Sequence, residues 1–201
     1  MLTCTHIQYR NYAAQRGVAL VIALVLLVVL SVLATLSVRN ATSSEGVSGN
    51  ARLSQLANQS AETALRYCEE ATINLINAGP AVYAFSTPAS AATASLVISN
   101  VLDYVSTGTP TSQVTANWDS ATAVGPLILP LSSVNPSGVS STFARPPECM
   151  IERLSPLGSA TYSSTFTITA RGFGPEVNAA NATRSAPQGS EVWLQSTIEL
   201  N

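Results

Sequence analysis

From Gly17 to Val38 the chain carries no charge, and only Ser31, Thr35 and Ser37 interrupt the run GVALVIALVLLVVLSVLATLSV. As a helix, Val18 to Leu36 is roughly 28 Å long, close to the hydrocarbon thickness of a bilayer. The pattern then changes without losing its helical period. From Ala51 to Asn77 there is neither Pro nor Gly. At about 100° per residue, Leu53, Ala57, Ala61, Ala64, Cys68, Ala71 and Leu75 share one stripe, joined by Ser60. Gln55, Gln59, Glu62, Arg66 and Glu69 fall opposite, with Glu62 and Arg66 in the favourable i,i+4 order. Gly79-Pro80 supplies a stop. The pattern predicts one helix of about 60 residues from Val18 to Ala78, roughly 90 Å long. It is apolar all round in residues 18–38 and amphipathic in residues 39–79. Gly46 and Gly49 interrupt it at a cost of about 1 kcal/mol each relative to Ala. They mark either a kink outside the membrane or a weak point that unwinds on assembly.

After Pro80 the character shifts to Ala, Ser, Thr, Pro and Val, and residues 80–201 form a separate body. Thr87-Pro88 resembles an N-cap followed by a first-turn proline, and Val97, Val101 and Val105 suggest a short helix ending near Val105. Frequent Pro and Gly between Ser106 and Pro147 predict loop. Trp118 and the patch Pro126-Leu127-Ile128-Leu129-Pro130 either pack on the core or meet a partner. The last fifty residues read as strands. Phe166, Ile168 and Ala170 alternate with Thr165, Thr167, Thr169 and Arg171. Val192, Leu194, Ile198 and Leu200 alternate with Glu191, Trp193, Gln195, Thr197 and Glu199. Cys149 to Leu154 is a third, shorter strand. A long helix followed by strands predicts an α+β fold, with an antiparallel sheet against the amphipathic half of the helix. The connection from Gly172 to Ser190 is too long for a simple hairpin, which makes it the first candidate for a variable, partner-facing surface.

Composition narrows the class. Of 201 residues 46% are hydrophobic and 10% charged, against about 25% charged in an ordinary soluble domain. The formal net charge is −2 and all nine basic residues are Arg. No basic stripe exists to neutralise a run of phosphates, so nucleic acid is not an expected partner. Arg10 and Arg16 precede the apolar run without an acid, whereas charge beyond it is mixed. The positive-inside bias therefore predicts a single membrane pass, with the N-terminus cytoplasmic and the body across the membrane.

Three readings of the N-terminus follow. It is a plain anchor, a signal peptide cut near Val32-Leu33-Ala34, or a prepilin whose leader, residues 1–17, ends at Gly17. In the last, Val18 begins a mature chain that keeps the whole apolar segment. Helical register carried on into residues 51–77 favours retention, because a cleaved signal has no reason to share it.

Cys68 lies near the middle of the helix stripe that faces the sheet, and Cys149 starts a strand. Outside the inner membrane a bridge between them is reasonable. Closing a loop of about 80 residues is worth roughly 4–5 kcal/mol in the chain-entropy model. The alternative is two buried thiols. Cys4 leaves with the leader.

Catalytic chemistry is not found. Gly46-Val47-Ser48-Gly49 lacks the pattern of a nucleophile elbow. His6, the chain's only histidine, lies in the leader, which removes any His-based triad or general base from the mature chain. Glu69-Glu70 reads as a solvated helix pair. Three Cys this scattered make no zinc site, and no Walker loop, EF-hand loop or CxxC occurs. Asn40, Asn58 and Asn181 open N-glycosylation triplets of a kind that chance supplies in Ser/Thr-rich sequence. Neither enzymatic activity nor a cofactor or metal is expected.

The run RGVALVIALVLLVVLSVLATLSVRN, followed by Gly49-Asn50-Ala51-Arg52 and Gln59-Ser60-Ala61-Glu62-Thr63-Ala64-Leu65-Arg66, closely resembles the N-terminal region of PilX-like minor pilins of type IV pili. PPECMIERL, TFTITARGFG and EVWLQSTIEL extend the resemblance more loosely into the body. The resemblance implies cleavage between Gly17 and Val18 by prepilin peptidase and methylation of the new N-terminus. It implies helix packing through Val18, Ile22, Leu26 and Leu30. The partners it implies are other minor pilins and the major pilin, with a tip adhesin as a further candidate. Surface filaments are the implied destination, with adhesion, twitching motility or DNA uptake left open as their use.

Major pilins carry Glu at the fifth mature position, where it offsets a neighbour's N-terminal amine. Here that position is Ile22, and a subunit that cannot supply the carboxylate suits an initiating or capping place. A K-type pseudopilin of a type II secretion system shares this lack, but the body is small for the inserted domain of such proteins. A membrane-anchored or secreted extracytoplasmic binding module is the remaining alternative.

Overall fold

The computed structural model describes residues 16–77, 83–103, 108–135, 142–154 and 165–200. It divides into two units, residues 1–49 and 50–201. One helix, α1, spans Arg16–Ile76, two residues earlier at each end than its pattern predicts. Gly46 and Gly49 lie within it. The Gly79-Pro80 stop, Cys4 and His6 lie outside the described residues.

In the first unit the aliphatic side chains of Val18 to Val38 are all exposed. The second unit buries the stripe read from the sequence. Ala57, Ser60, Ala61, Ala64, Cys68 and Ala71 are inaccessible or nearly so, and Thr72 joins them. Gln55, Gln59, Glu62 and Arg66 face solvent.

The strands are β1 (Ala84–Thr87), β2 (Ser90–Ser95), β3 (Leu102–Asp103), β4 (Leu127–Ile128), β5 (Glu148–Arg153), β6 (Thr165–Phe173) and β7 (Glu191–Glu199). They form one seven-stranded sheet in the order β2-β1-β4-β5-β6-β7, with β3 beside β5. Every pairing is antiparallel except the two-residue β3–β5 contact. The chain is therefore α+β, a long helix packed against a largely antiparallel sheet.

The short helix expected from Thr87 to Val105 is replaced by the β1–β2 hairpin, a 3-10 turn at Ile98–Asn100, and β3. Proline's fixed φ suits the second position of a β-turn as well as the first turn of a helix, and Pro88-Ala89 occupies the turn. Val97 and Ile98 are half-exposed, so no helical apolar face had a surface to bury against. Of the loop predicted for residues 106–147, the described residues 108–135 and 142–147 are mostly loop, with 3-10 turns and β4 among them. Trp118, Leu127 and Leu129 pack inward.

Alternation along β6 sends Phe166, Ile168 and Ala170 to the helix side. There they join Cys149 and Ile151 of β5 and Ala64, Cys68 and Ala71 of α1, with Phe85, Leu127 and Leu129 closing the cluster. A disulfide joins Cys68 to Cys149 across it. The approach is tightest at Gly172. A Cβ there would lie 2.1 Å from the Ala61 nitrogen and 2.5 Å from the Ala57 oxygen, so only hydrogen fits between strand and helix. The opposite face of the sheet carries Glu148, Met150, Glu152, Thr169, Arg171 and Phe173, all buried. In an antiparallel sheet that face is commonly solvated. Here irregular chain from residues 108–135, 142–147 and 174–190 covers it.

Gly172→Ala must push backbone against backbone, and overpacking of this kind costs about 3 kcal/mol or more. Gly49→Ala, whose Cβ meets nothing within 4 Å, should stabilise by up to about 1 kcal/mol. Denaturant melts of the full chain in micelles check the opposite signs.

Candidate functional site

Two places stand out as candidates: the apolar segment of α1 and a buried cluster of charges in the body. In the first, Gly17 and Val18 lie in the opening turn of α1. Val18, Ile22, Leu26 and Leu30 recur at i,i+4, so they line one side; each is more than half exposed, at 63%, 54%, 55% and 64%. The neighbours on the other sides are just as bare. A helix that is apolar all round is one that lipid or other helices must surround. It is the one helix among the described residues long and apolar enough to cross a membrane.

Its three hydroxyls fit that setting. Ser31 Oγ donates to the Val28 carbonyl at 2.8 Å, Thr35 Oγ1 to that of Val32 at 2.8 Å, and Ser37 Oγ to that of Leu33 at 3.0 Å. Each donor is satisfied within the helix, so none needs water in an apolar environment.

The expected bridge between Cys68 and Cys149 is present, with Cα atoms 6.6 Å apart across a sequence separation of 81. It fastens the buried stripe of α1 to β5. The Glu69-Glu70 pair is not simply solvated: Ser196 Oγ donates to Glu69, and the Tyr83 hydroxyl donates to Glu70 at 2.6 Å. Both carboxylates tie the helix to the body, and Tyr83 is held above its ordinary pKa, first by that hydrogen bond.

Sequence reasoning missed the charge cluster. Arg145, Arg171 and Arg184 converge with Asp119, Glu148 and Glu191 on the covered face of the sheet. Arg171 Nη2 lies 2.9 Å from Glu148 Oε2 and 3.0 Å from Asp119 Oδ1, and its Nη1 lies 3.4 Å from Glu191 Oε1. Arg184 Nη2 reaches Glu148 Oε2 at 2.7 Å and the Trp118 carbonyl at 3.2 Å. Arg145 completes the set at 3.6 Å from both Asp119 and Glu148. Aromatic rings wall it in: the Arg171 guanidinium lies over Trp118, Phe173 and Trp193, and that of Arg145 over Phe173.

Formal charge in the group is balanced, three against three. Burial alone lowers both Arg145 and Arg171, and Arg145 stays lowered. For Arg171 the attraction of Glu148 and the hydrogen bond to Asp119 outweigh burial, and its pKa rises. Arg184 has φ 52°, in the left-handed region. Its N–H donates to the Asn181 carbonyl at 2.9 Å, and Asn181 Oδ1 accepts from Ser185 N–H at 3.0 Å. This turn brings the long β6–β7 connection down onto Glu148. The connection thus joins neighbouring antiparallel strands and is anchored at Val177 and Arg184, which are buried, while residues 178–183 stay exposed.

Ionic groups in a chain so poor in charge were the signal available: Arg171 is the one charged residue of its strand, and Glu148 opens another. Nothing in the spacing of residues 119, 145, 148, 171, 184 and 191 shows that they meet. Among the described residues no group of three or more His, Cys, Asp or Glu could hold a metal ion.

Compared with known proteins, the chain matches the PilX N-terminal family over residues 16–66. That stretch is similar to the N-terminal region of PilX-like type IV pilins, and it takes in the apolar segment and most of the amphipathic one. No curated protein and no solved structure matches the chain.

Arg171→Gln leaves Glu148 buried beside weaker partners and should cost about 3–5 kcal/mol, read from denaturant melts. Burial holds the Glu191 carboxyl above its ordinary value of 4.5 despite Arg171. The folded state therefore binds its proton more tightly than the unfolded chain does. Its contribution to stability is full below that value and is lost as pH rises through the folded-state pKa. The stability of the wild type relative to Glu191→Gln should fall with rising pH across this range, measured by melts at stepped pH.

Proposed function

We propose that this chain is a minor pilin that helps start or cap a type IV pilus and has no enzymatic role. The observation that carries the reading is the coincidence of the family match with a helix bare of cover. Residues 16–66 match the PilX N-terminal family, and within them the aliphatic side chains of Val18 to Val38 are exposed on every side.

The mechanism is transfer between two apolar surroundings. Before assembly Val18 to Leu36 holds the chain in the inner membrane, N-terminus cytoplasmic and body periplasmic. On assembly the same surface packs against the helices of other minor pilins and the major pilin. Lipid tails are as apolar as leucine, so the exchange is decided by packing rather than by escape from water. Prepilin peptidase would cut between Gly17 and Val18 before the new amine is methylated. Ile22 offers no carboxylate to a neighbour's amine, which supports a place at the start or tip of the filament over one in its bulk.

Gly17 permits a clean test, because a Cβ there meets nothing within 4 Å and a substitution leaves the helix unstrained. Intact mass of the wild type should correspond to a chain beginning at Val18 with a methylated amine. Gly17→Val should retain the leader, and it should reproduce the fall in surface filaments seen on deleting the gene, counted by electron microscopy. A mature chain beginning at Thr35, or normal filament numbers in both strains, refutes the proposal.

A further inference from the structure

Beside the charge cluster, on the face of the sheet turned away from α1, a pocket of about 310 Å³ opens to solvent. Ser112, Gln113, Thr115, Thr169, Trp193, Leu194 and Gln195 line it, and no charged side chain among the described residues does. Register places its strand residues side by side: Thr169 pairs with Gln195 and Arg171 with Trp193. Further along the same face Thr167 pairs with Thr197, extending a strip of hydroxyls away from the tryptophan, with the buried Glu152 beside Thr167. Trp193 is 38% exposed, unusual for a large aromatic ring beside such polar neighbours.

The ring is held rather than loose. Trp118 meets it edge-on with centroids 4.9 Å apart, and the buried Arg171 guanidinium lies 5.1 Å from its centroid. The facing wall is equally fixed. Ser112 donates through N–H and Oγ to the buried Glu152 at 3.3 Å and 2.5 Å, and Trp118 Nε1 donates to the Ser112 carbonyl at 2.8 Å. Gln195 Nε2 donates to Thr169 Oγ1 at 3.0 Å, which orients the Gln195 amide. A concave site with an aromatic floor and a few oriented polar groups is the usual form of a small-molecule site.

The lining decides the ligand class. An anion would find no open cation here. A cation would find no carboxylate, and the ring already has Arg171 against it. A wholly apolar group would bury the amides and hydroxyls of Gln113, Thr115 and Gln195 without partners. A neutral polyhydroxylated ring meets each feature: its C–H face lies on the electron-rich face of the indole, and its hydroxyls exchange hydrogen bonds with the amides and threonines. We propose that this pocket and its threonine strip bind an uncharged oligosaccharide. The inference stands on the body alone and is independent of the role assigned to the N-terminal helix.

The test uses the full chain in micelles of a phosphocholine detergent, since glycosidic detergents would compete. Maltohexaose, cellohexaose and N-acetylchitohexaose are titrated while tryptophan fluorescence is followed, with polygalacturonate as the charged control. At least one neutral hexasaccharide should give a saturable change. Trp193→Ala should weaken binding at least about tenfold and Gln195→Ala about fivefold, whereas Trp193→Phe stays within about threefold of wild type. Unchanged far-UV circular dichroism verifies that the variants fold.

Neutral polysaccharide from the producing cell's own envelope forms a second arm. Binding there, or to the purified hexasaccharides alone, separates a self-derived from a foreign glycan, and either supports the proposal. It is overturned if no neutral sugar binds below about 10 mM, if binding survives Trp193→Ala, or if the charged control binds equally well. It is also overturned if Trp193→Ala abolishes capture of another pilin while no sugar binds, which would make the pocket a protein contact.

Discussion

The body is organised around the close approach of α1 to β6, where Gly172 meets the backbone of Ala57 and Ala61. A helix can come this near a sheet only if both surfaces are nearly smooth. Ala57, Ser60, Ala61 and Ala64 supply one and Gly172 the other. From this contact the placement of the remaining layers follows. Cys68 comes within bonding reach of Cys149, and Phe166, Ile168 and Ala170 close over Ala64, Cys68 and Ala71. Small residues carry little apolar area each, at about 25 cal/mol per Å² buried. The contact gains from fit and from the covalent bridge more than from bulk.

The other face of the sheet uses a different principle. It is covered by irregular chain, whose own hydrogen-bonding groups must be satisfied, and it is fastened by charge. Removing one partner from such a cluster is costly, whereas the intact cluster adds little net stability because desolvation opposes attraction. Its contribution is a single arrangement of the covering loops. Glu148 draws Arg184 down from the β6–β7 connection, and Arg171 reaches Asp119 from below. The wall of the Trp193 pocket is set by this same arrangement. Rigidity on one face and a shaped recess beside it therefore have a common origin.

The two units answer to different solvents. The apolar segment of the first keeps Ser31, Thr35 and Ser37 bonded to its own carbonyls and presents aliphatic surface outward, which suits lipid or neighbouring helices. The second buries a cluster of opposed charges under its loops. On the proposed reading, passage from a membrane to a filament would change what surrounds the first unit. Packing surfaces on the apolar segment and binding surfaces on the body are separable for this reason.

Much of this architecture was legible in the chain. The apolar run, the Ala-rich stripe and the three C-terminal strands follow from local period, because each depends on residues near in sequence; for Cys68 and Cys149 the sequence left a bridge and two buried thiols open, and the structure joins them. Thr87-Pro88 misled, since proline's fixed φ serves a helix start and a turn alike. The meeting of Asp119, Arg145, Glu148, Arg171, Arg184 and Glu191 was not legible. Alternation assigns Glu148 and Arg171 to the face away from the helix, and sequence period says only that this face is not the core. Whether it meets water or a second layer depends on where distant loops close, and that is settled by three-dimensional packing among segments far apart in the chain. Period and composition determined the rod and the strands; tertiary structure alone decided that the sheet has two buried faces and a recess between them and the solvent.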